Sequence, residues 1–312
     1  MTPRGAIRVR TLVIVITSSG SGDAGVYDFL RALGAASSEV ILRFVDDLAT
    51  IPWLLTDAAT FQRIVAVGGD GTVSAVCYAL RNTGIPILVY PSGTANLLAL
   101  NLGVHLEPRV LADTTIAGIP VRFDLGEITV SGQDGKETQT GFTIMMGAGY
   151  DASIVEAAQP MKSTLGAVAY LLGAVGNLNP TIAHFRIELD GRQIETDGIA
   201  VLVVNFGRLQ FDIEVARGAD PRDGLFDIAV LRSKNLAEFL PTVAAGIFDR
   251  AGDRNAIPGV DVYSASHVTV SATPALRMQY DGDVVEAHTP FSARVLPGAT
   301  TLLLPPDSAY AR

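Results

Sequence analysis

The sequence predicts an α/β + β architecture: an N-terminal Rossmann-like parallel-sheet domain and a C-terminal antiparallel β-sandwich domain with inserted helices. Three observations predict it. Up to about Asp124, strand-like runs that are apolar throughout alternate with helix-like runs, the pattern of a parallel sheet covered on both faces. Beyond Asp124 the texture changes to β-type runs joined by tight turns, which reads as an antiparallel sandwich or barrel. A length of 312 residues suits two modest domains. The boundaries follow as 1–124 and 125–298, with the final "TTLLLPP" region, 299–312, a candidate return to the first domain.

In order, "RTLVIVI" is a strand, followed by the polar turn "TSSGSGDAG" and a helix through Leu33. "EVILRF" is the second strand and "DDLATIPWLL" a helix. "RIVAVG" is the third strand, closed by a glycine turn and a helix to about Asn82. "PILVYP" is the fourth, and "SGTANLLALNLG" turns into another helix before the helical "EPRVLADTTIAG". In the second half, "RFDLGEITV", "QTGFTIMMG", "HFRIELDGRQIETDGIAVLVVNF", "LFDIAVL", "SHVTVSA", "ALRMQYDGDVVEA" and "FSARVLPG" are the β runs. Helices are expected near Ala152–Glu156, Leu165–Val175 and Leu236–Phe248.

Composition narrows the function. Hydrophobic residues make up 48%, enough for real cores, and the net charge is −9 with Lys136, Lys162 and Lys234 the only lysines. Without a basic stripe, nucleic-acid binding has little electrostatic support. Cys77, the single cysteine, cannot form an intrachain disulfide and fits a reducing compartment. No run reaches the ~18 apolar residues of a membrane span, so the expectation is a cytoplasmic protein, peripheral to membranes at most. A homodimer is left open.

Two glycine turns carry the chemistry. "VAVGGDGTVSAV", residues 65–76, stops a strand at Gly68-Gly69-Asp70-Gly71-Thr72 and opens a helix. Glycines there allow positive φ and let a phosphate approach the backbone. The helix N-terminus favours an anion, and Thr72 can donate a hydroxyl. Asp70 would repel phosphate unless a divalent cation such as Mg²⁺ lay between them. "YPSGTANLLA", residues 90–99, repeats the arrangement with Ser92, Gly93, Thr94 and Asn96. Two such turns on neighbouring sheet edges could hold one nucleotide. The plain alternative is a pair of ordinary βα turns with helix caps.

"GGDGT" followed about twenty residues later by "PSGTANLLA" resembles the diacylglycerol kinase catalytic-domain family, with sphingosine and ceramide kinases as relatives and NAD kinases more distant. "GAGYDASIVEA", "KSTLGAVAYL", "ADPRDGLFDIAVL" and "YDGDVVEAHTP" resemble later family stretches. The resemblance implies a nucleotide-binding domain, a β-rich acceptor domain and an active site in the cleft between them. It also implies transfer of the γ-phosphoryl of ATP to a lipid alcohol met by transient contact with a membrane surface. By position, Gly68, Gly69, Gly71 and Thr72 would contact ATP phosphates, with Ser92, Gly93, Thr94, Asn96, Ser19 and Gly20 supporting the nucleotide. Asp70 would organise Mg²⁺ through water and take part in catalysis, and Asp281 would be the general base. Asp220, Asp223 and the Phe226 carbonyl match a structural Mg²⁺ site of bacterial members. The chain departs from the family at Ile16-Thr17, Ala75, Leu100, Gln210-Phe211, Arg217 and Asp283.

Each of these carries a plainer reading. Asp281-Gly282 is also a hairpin turn of the kind expected at Asp190-Gly191, and Asp223-Gly224 is a turn before it is a metal site. The four histidines show no metal spacing. A kinase-like binding module with little turnover and a kinase of a soluble acceptor such as NAD remain alternatives.

Overall fold

The computed structural model describes residues 9–16, 24–36, 39–93, 95–131, 137–149, 181–208, 219–232 and 259–312. The helices expected near 152–156, 165–175 and 236–248 lie outside them. The chain divides into two compact units, Met1–Leu125 with Pro297–Arg312, and Gly126–Leu296.

The first unit is built on a parallel sheet. Strands β1 (Arg10–Ile16), β2 (Glu39–Val45), β3 (Arg63–Gly68) and β4 (Pro86–Pro91) take the order β2-β1-β3-β4. β1 and β3 are buried along nearly their whole length, which requires cover on both faces. The end of the chain completes this sheet: in β16 (Phe291–Leu304), Thr301 and Leu302 pair in parallel with Pro86 and Ile87 of β4.

Helix α1 (Ala24–Ala36) packs on α5 (Pro108–Ala117). Helix α5 has Pro108 in its first turn, and the Glu107 carboxylate accepts from Val110 N at 3.2 Å. α3 (Asp70–Ala79) packs on β3, and α4 (Leu97–Leu102) on β4. The stretch "DDLATIPWLL" corrects its expectation of one helix. It forms a 3₁₀ turn at Leu48–Thr50 and a single short helix, α2 (Ile51–Leu54). Asp47 caps the 3₁₀ turn through Ala49 N, and Pro52 early in α2 suits only a helix start.

The second unit is antiparallel. One layer pairs β8 (Ala183–Leu189) with β9 (Arg192–Gly198) and with β13 (His267–Thr273), which in turn pairs with the first half of β16. In the same layer β5 (Ile119–Ser131) pairs with β6 (Glu137–Phe142). The other layer has the order β12 (Val260–Ala265), β11 (Phe226–Leu231), β10 (Ala200–Val204), β7 (Met145–Gly149), β14 (Arg277–Tyr280), β15 (Asp283–His288).

The alternation of β8, buried at every second residue, puts Phe185 and Ile187 into the same core as Val201, Val203, Phe226 and Ile228. Phe142 and Phe226 stack there at 5.4 Å. Gly126 faces Phe142 across β5 and β6, and a Cβ on it would meet the ring at 2.1 Å. The glycine is therefore required by the neighbouring ring. Among the described residues, no helix is long and apolar enough to cross a membrane.

Candidate functional site

Both glycine turns lie in the first unit, at the carboxyl ends of the adjacent strands β3 and β4. They touch. Ser92 N donates to Gly68 O at 3.1 Å, extending the ladder past the strands. A Cβ on Gly93 would meet Gly69 Cα at 2.4 Å, and one on Gly68 would strike the Thr72 side chain at 2.5 Å.

This corrects the expected reason for the glycines. None of Gly68, Gly69, Gly71 and Gly93 has a positive φ. At Gly68 and Gly93 what matters is the missing Cβ, which lets Thr72 fold back on β3 and backbone lie on backbone. Gly71 and Thr72 also sit within the first turn of α3, which begins at Asp70.

Asp70 is 8% exposed. Its Oδ2 accepts from Leu97 N and its Oδ1 from Leu98 N, both at 3.0 Å. These are the first N–H groups of α4, which have no partner inside the helix. Asn96, the residue before α4, has φ 49° and ψ 43° and does not cap it. Its amide instead closes the turn, with Gly93 N donating to Oδ1 at 2.9 Å and Nδ2 donating to Gly93 O at 2.8 Å. Asn suits this left-handed position better than most residues. Ser92 Oγ is buried beside the contact and has no hydrogen-bond partner among the described residues. A buried hydroxyl without a partner is costly unless something binds it, and a water or a ligand oxygen at the turn would each serve. Thr94, Ser19 and Gly20 lie outside the described residues.

Asp281 lies in the second unit, in the turn between β14 and β15, with φ 47° followed by Gly282 at 86°. Two positive values make this the mirror-image hairpin turn favoured by Asp-Gly. The side chain is 6% exposed. Oδ2 accepts from Thr143 N at 2.8 Å and Thr143 Oγ1 at 3.3 Å; Oδ1 accepts from Ile144 N at 2.8 Å and Met145 N at 3.1 Å. The carboxylate therefore ties the hairpin to the bend between β6 and β7. Thr143 was not singled out from the sequence. It lies 138 residues from Asp281, and no local pattern links them.

The third set is a turn closed by its own side chains. Asp220 accepts from Arg222 Nε at 2.9 Å, and Asp223 Oδ1 accepts from Leu225 N at 2.9 Å. Phe226 opens β11 with its ring in the core stack. An arginine against Asp220 is the wrong neighbour for a cation, so these side chains, as placed, do not fit a Mg²⁺ site. Among the described residues, no group of three or more His, Cys, Asp or Glu side chains is placed to hold a metal.

Close by, the sequence reading missed Asp227. Burial first, then the Asp223 charge, pushes its carboxyl up, against a hydrogen bond from Ser264 Oγ at 3.1 Å. An acid inside "LFDIAVL" was the available signal. Leu100, one of the departures from the family pattern, is 41% exposed on α4.

Comparisons with known proteins agree with the fold. Residues 10–128 match the diacylglycerol kinase catalytic domain, and residues 144–304 match the YegS C-terminal NAD kinase beta sandwich-like domain. A "probable lipid kinase YegS-like" of Pseudomonas fluorescens is 31% identical over 261 residues, covering 80% of each chain. A diacylglycerol kinase of Mycobacterium tuberculosis is 28% identical over 253 residues, 78% of this chain and 76% of the relative. An uncharacterized Synechocystis protein is 29% identical over 254 residues, and there the match spans only 55% of the relative's length. The solved structure of a diacylglycerol kinase from Bacillus anthracis superposes with a TM-score of 0.75 at 21% identity, covering 97% of this chain and 99% of that one. At that identity it speaks for the fold.

Proposed function

The chain belongs to the diacylglycerol kinase catalytic-domain family of lipid kinases, and from that membership we propose that it transfers the γ-phosphoryl group of ATP to the hydroxyl of diacylglycerol or a related lipid alcohol. The observation that carries this reading is the contact of Gly69 with Gly93, beside Ser92 Oγ, which is buried without a partner among the described residues. Two βα turns that meet in this way offer bare backbone to one polyanion.

Phosphoryl transfer asks for alignment and for neutralised charge. Mg²⁺ bound with the triphosphate supplies part of that neutralisation. The chain's own part is to hold the phosphates on the two turns and to orient the acceptor hydroxyl. Asp281 is the proposed proton acceptor. To serve, Oδ2 must exchange its longest bond, the 3.3 Å contact with Thr143 Oγ1, for the substrate hydroxyl. A carboxylate so placed contributes typically 10²–10⁴-fold. In this reading the lipid is met by transient contact with a membrane surface.

A second reading, a nucleotide- and lipid-binding protein with little turnover, draws on the same carboxylate, because Asp281 already holds four donors. The two separate in a screen of labelled ATP and Mg²⁺ against lipid alcohols and NAD. The first predicts label in a lipid. The second predicts thermal stabilisation by nucleotide with no labelled product. Label in NAD without lipid or detergent would overturn both.

A further inference from the structure

We infer that Asp70 is a positioning residue: its carboxylate fixes the turn at Ser92–Asn96 against the turn at Gly68–Gly69, and it serves nucleotide binding through that geometry, not as a metal ligand. The inference deepens the proposed function and rests on its reading of the two turns as the nucleotide site.

Three observations carry it. Helix α4 starts without a cap of its own, because the Asn96 amide is committed to Gly93 on both sides. Asp70 supplies the missing acceptor from 27 and 28 residues away, one oxygen to each N–H. It does so from the first turn of α3, so one negative charge serves the positive ends of two helices. Finally, the two turns are in backbone contact at Gly69 and Gly93. Their separation therefore has no slack, and a tie between them sets the shape that a phosphate would meet.

The same geometry argues against direct metal ligation. A Mg²⁺–oxygen bond is about 2.0–2.1 Å, and a cation that close, on the second lone pair of either oxygen, would sit beside the partial positive charge of the backbone N–H that the oxygen already accepts. Removing the carboxylate would instead leave two donors of a nearly buried helix start without a partner.

The test uses the full chain and magnesium-ATP, with Asp70→Asn and Gly93→Ala beside the wild type. Asparagine keeps the shape but sets an amide N–H against one of the two backbone N–H groups. Amide hydrogen exchange at Leu97 and Leu98 should quicken roughly tenfold in Asp70→Asn, and the KM for ATP should rise by a similar factor. The Mg²⁺ concentration for half-maximal activity at saturating ATP should stay where it is in the wild type. Gly93→Ala leaves the carboxylate in place but forces the turns apart. It should reproduce the KM change, again without moving the Mg²⁺ dependence, and it keeps the question answerable if Asp70→Asn does not fold.

A shifted Mg²⁺ requirement in Asp70→Asn with unchanged exchange at Leu97 and Leu98 would overturn the inference. So would a normal KM in Gly93→Ala. If the wild type binds no nucleotide, the proposed function itself fails. That outcome is separately visible, because faster exchange at Leu97 and Leu98 needs no ligand.

Discussion

The hairpins at Asp190-Gly191 and Asp281-Gly282 are nearly the same object. Their φ values are 48° and 87° in one and 47° and 86° in the other. Each joins two antiparallel strands, and each aspartate reaches out of its hairpin to hold a neighbouring bend. Asp190 accepts from Ser266 N, Ser266 Oγ and His267 N, each at 2.9 Å. Asp281 does the same with Thr143, Ile144 and Met145. What differs is the surroundings. Asp190 and its donors are exposed, whereas Asp281 and the whole of 141–149 are buried. Hairpin chemistry therefore explains why both positions are Asp-Gly. Only placement in a dry part of the fold sets Asp281 apart, and family resemblance reports that placement where local sequence cannot.

The largest test of this contrast is deletion of each carboxylate. Asp281→Ala strands three buried N–H groups and should cost about 3 kcal/mol or more. Asp190→Ala lets water take over the donors and should cost under about 1 kcal/mol. Urea unfolding of the two variants measures both, and equal losses would erase the distinction.

The next test asks whether the turns are as alike as their angles. Neither Gly191 nor Gly282 has an atom within 4 Å of a built Cβ, so strain at positive φ is all that alanine adds. Both substitutions should cost about 1–2 kcal/mol. A difference of more than about 1 kcal/mol between them would show that one turn is under a constraint the other lacks.

Smaller again is the effect of Thr143→Val, which removes one 3.3 Å hydroxyl bond from Asp281 and leaves the backbone donors. Stability should fall by about 0.5–1.5 kcal/mol. If Asp281 accepts the substrate proton, phosphoryl transfer in this variant should hold or rise, because Oδ2 has lost its competitor. A large fall in kcat with unchanged stability would contradict that role.

The smallest effects are in pH. Hydrogen bonds from Ser266, its backbone N–H first, hold the Asp190 carboxyl below the usual carboxylate range. Its contribution is therefore present above the ordinary value and lost as pH falls through the lowered one. Asp227 is opposite. Burial raises it, so its contribution is full below the ordinary value and lost as pH rises through the raised one. Melting temperatures across the acid range should show Asp190→Asn with a flatter acid limb and Asp227→Asn with a smaller loss above it.

Much of this was legible in the sequence. The apolar runs became β1, β3 and β4, the two glycine turns fell at adjacent strand ends, and "LDGRQ" formed its hairpin. The misses share a cause. The glycines looked like sites of positive φ, because sequence shows a missing side chain but not which neighbour needs the space. "IPWLL" has a helical pattern, yet without a longer apolar face to bury it stops after a turn. The ties of Asp70 to α4 and of Asp281 to the β6–β7 bend join residues far apart in the chain, where period and propensity carry no signal.

The return of β16 to β4 has a consequence for how the molecule is made. Leu302, Leu303 and Leu304 are buried, Asn82 N donates to Ala299 O, and Ser308 Oγ donates to Leu102 O. Synthesis runs from the N-terminus, so the sheet bearing the glycine turns must wait for Thr301 and Leu302 before its β4 edge is closed. Until the ribosome has delivered residue 304, the nascent protein holds an open strand flank that a chaperone could shield.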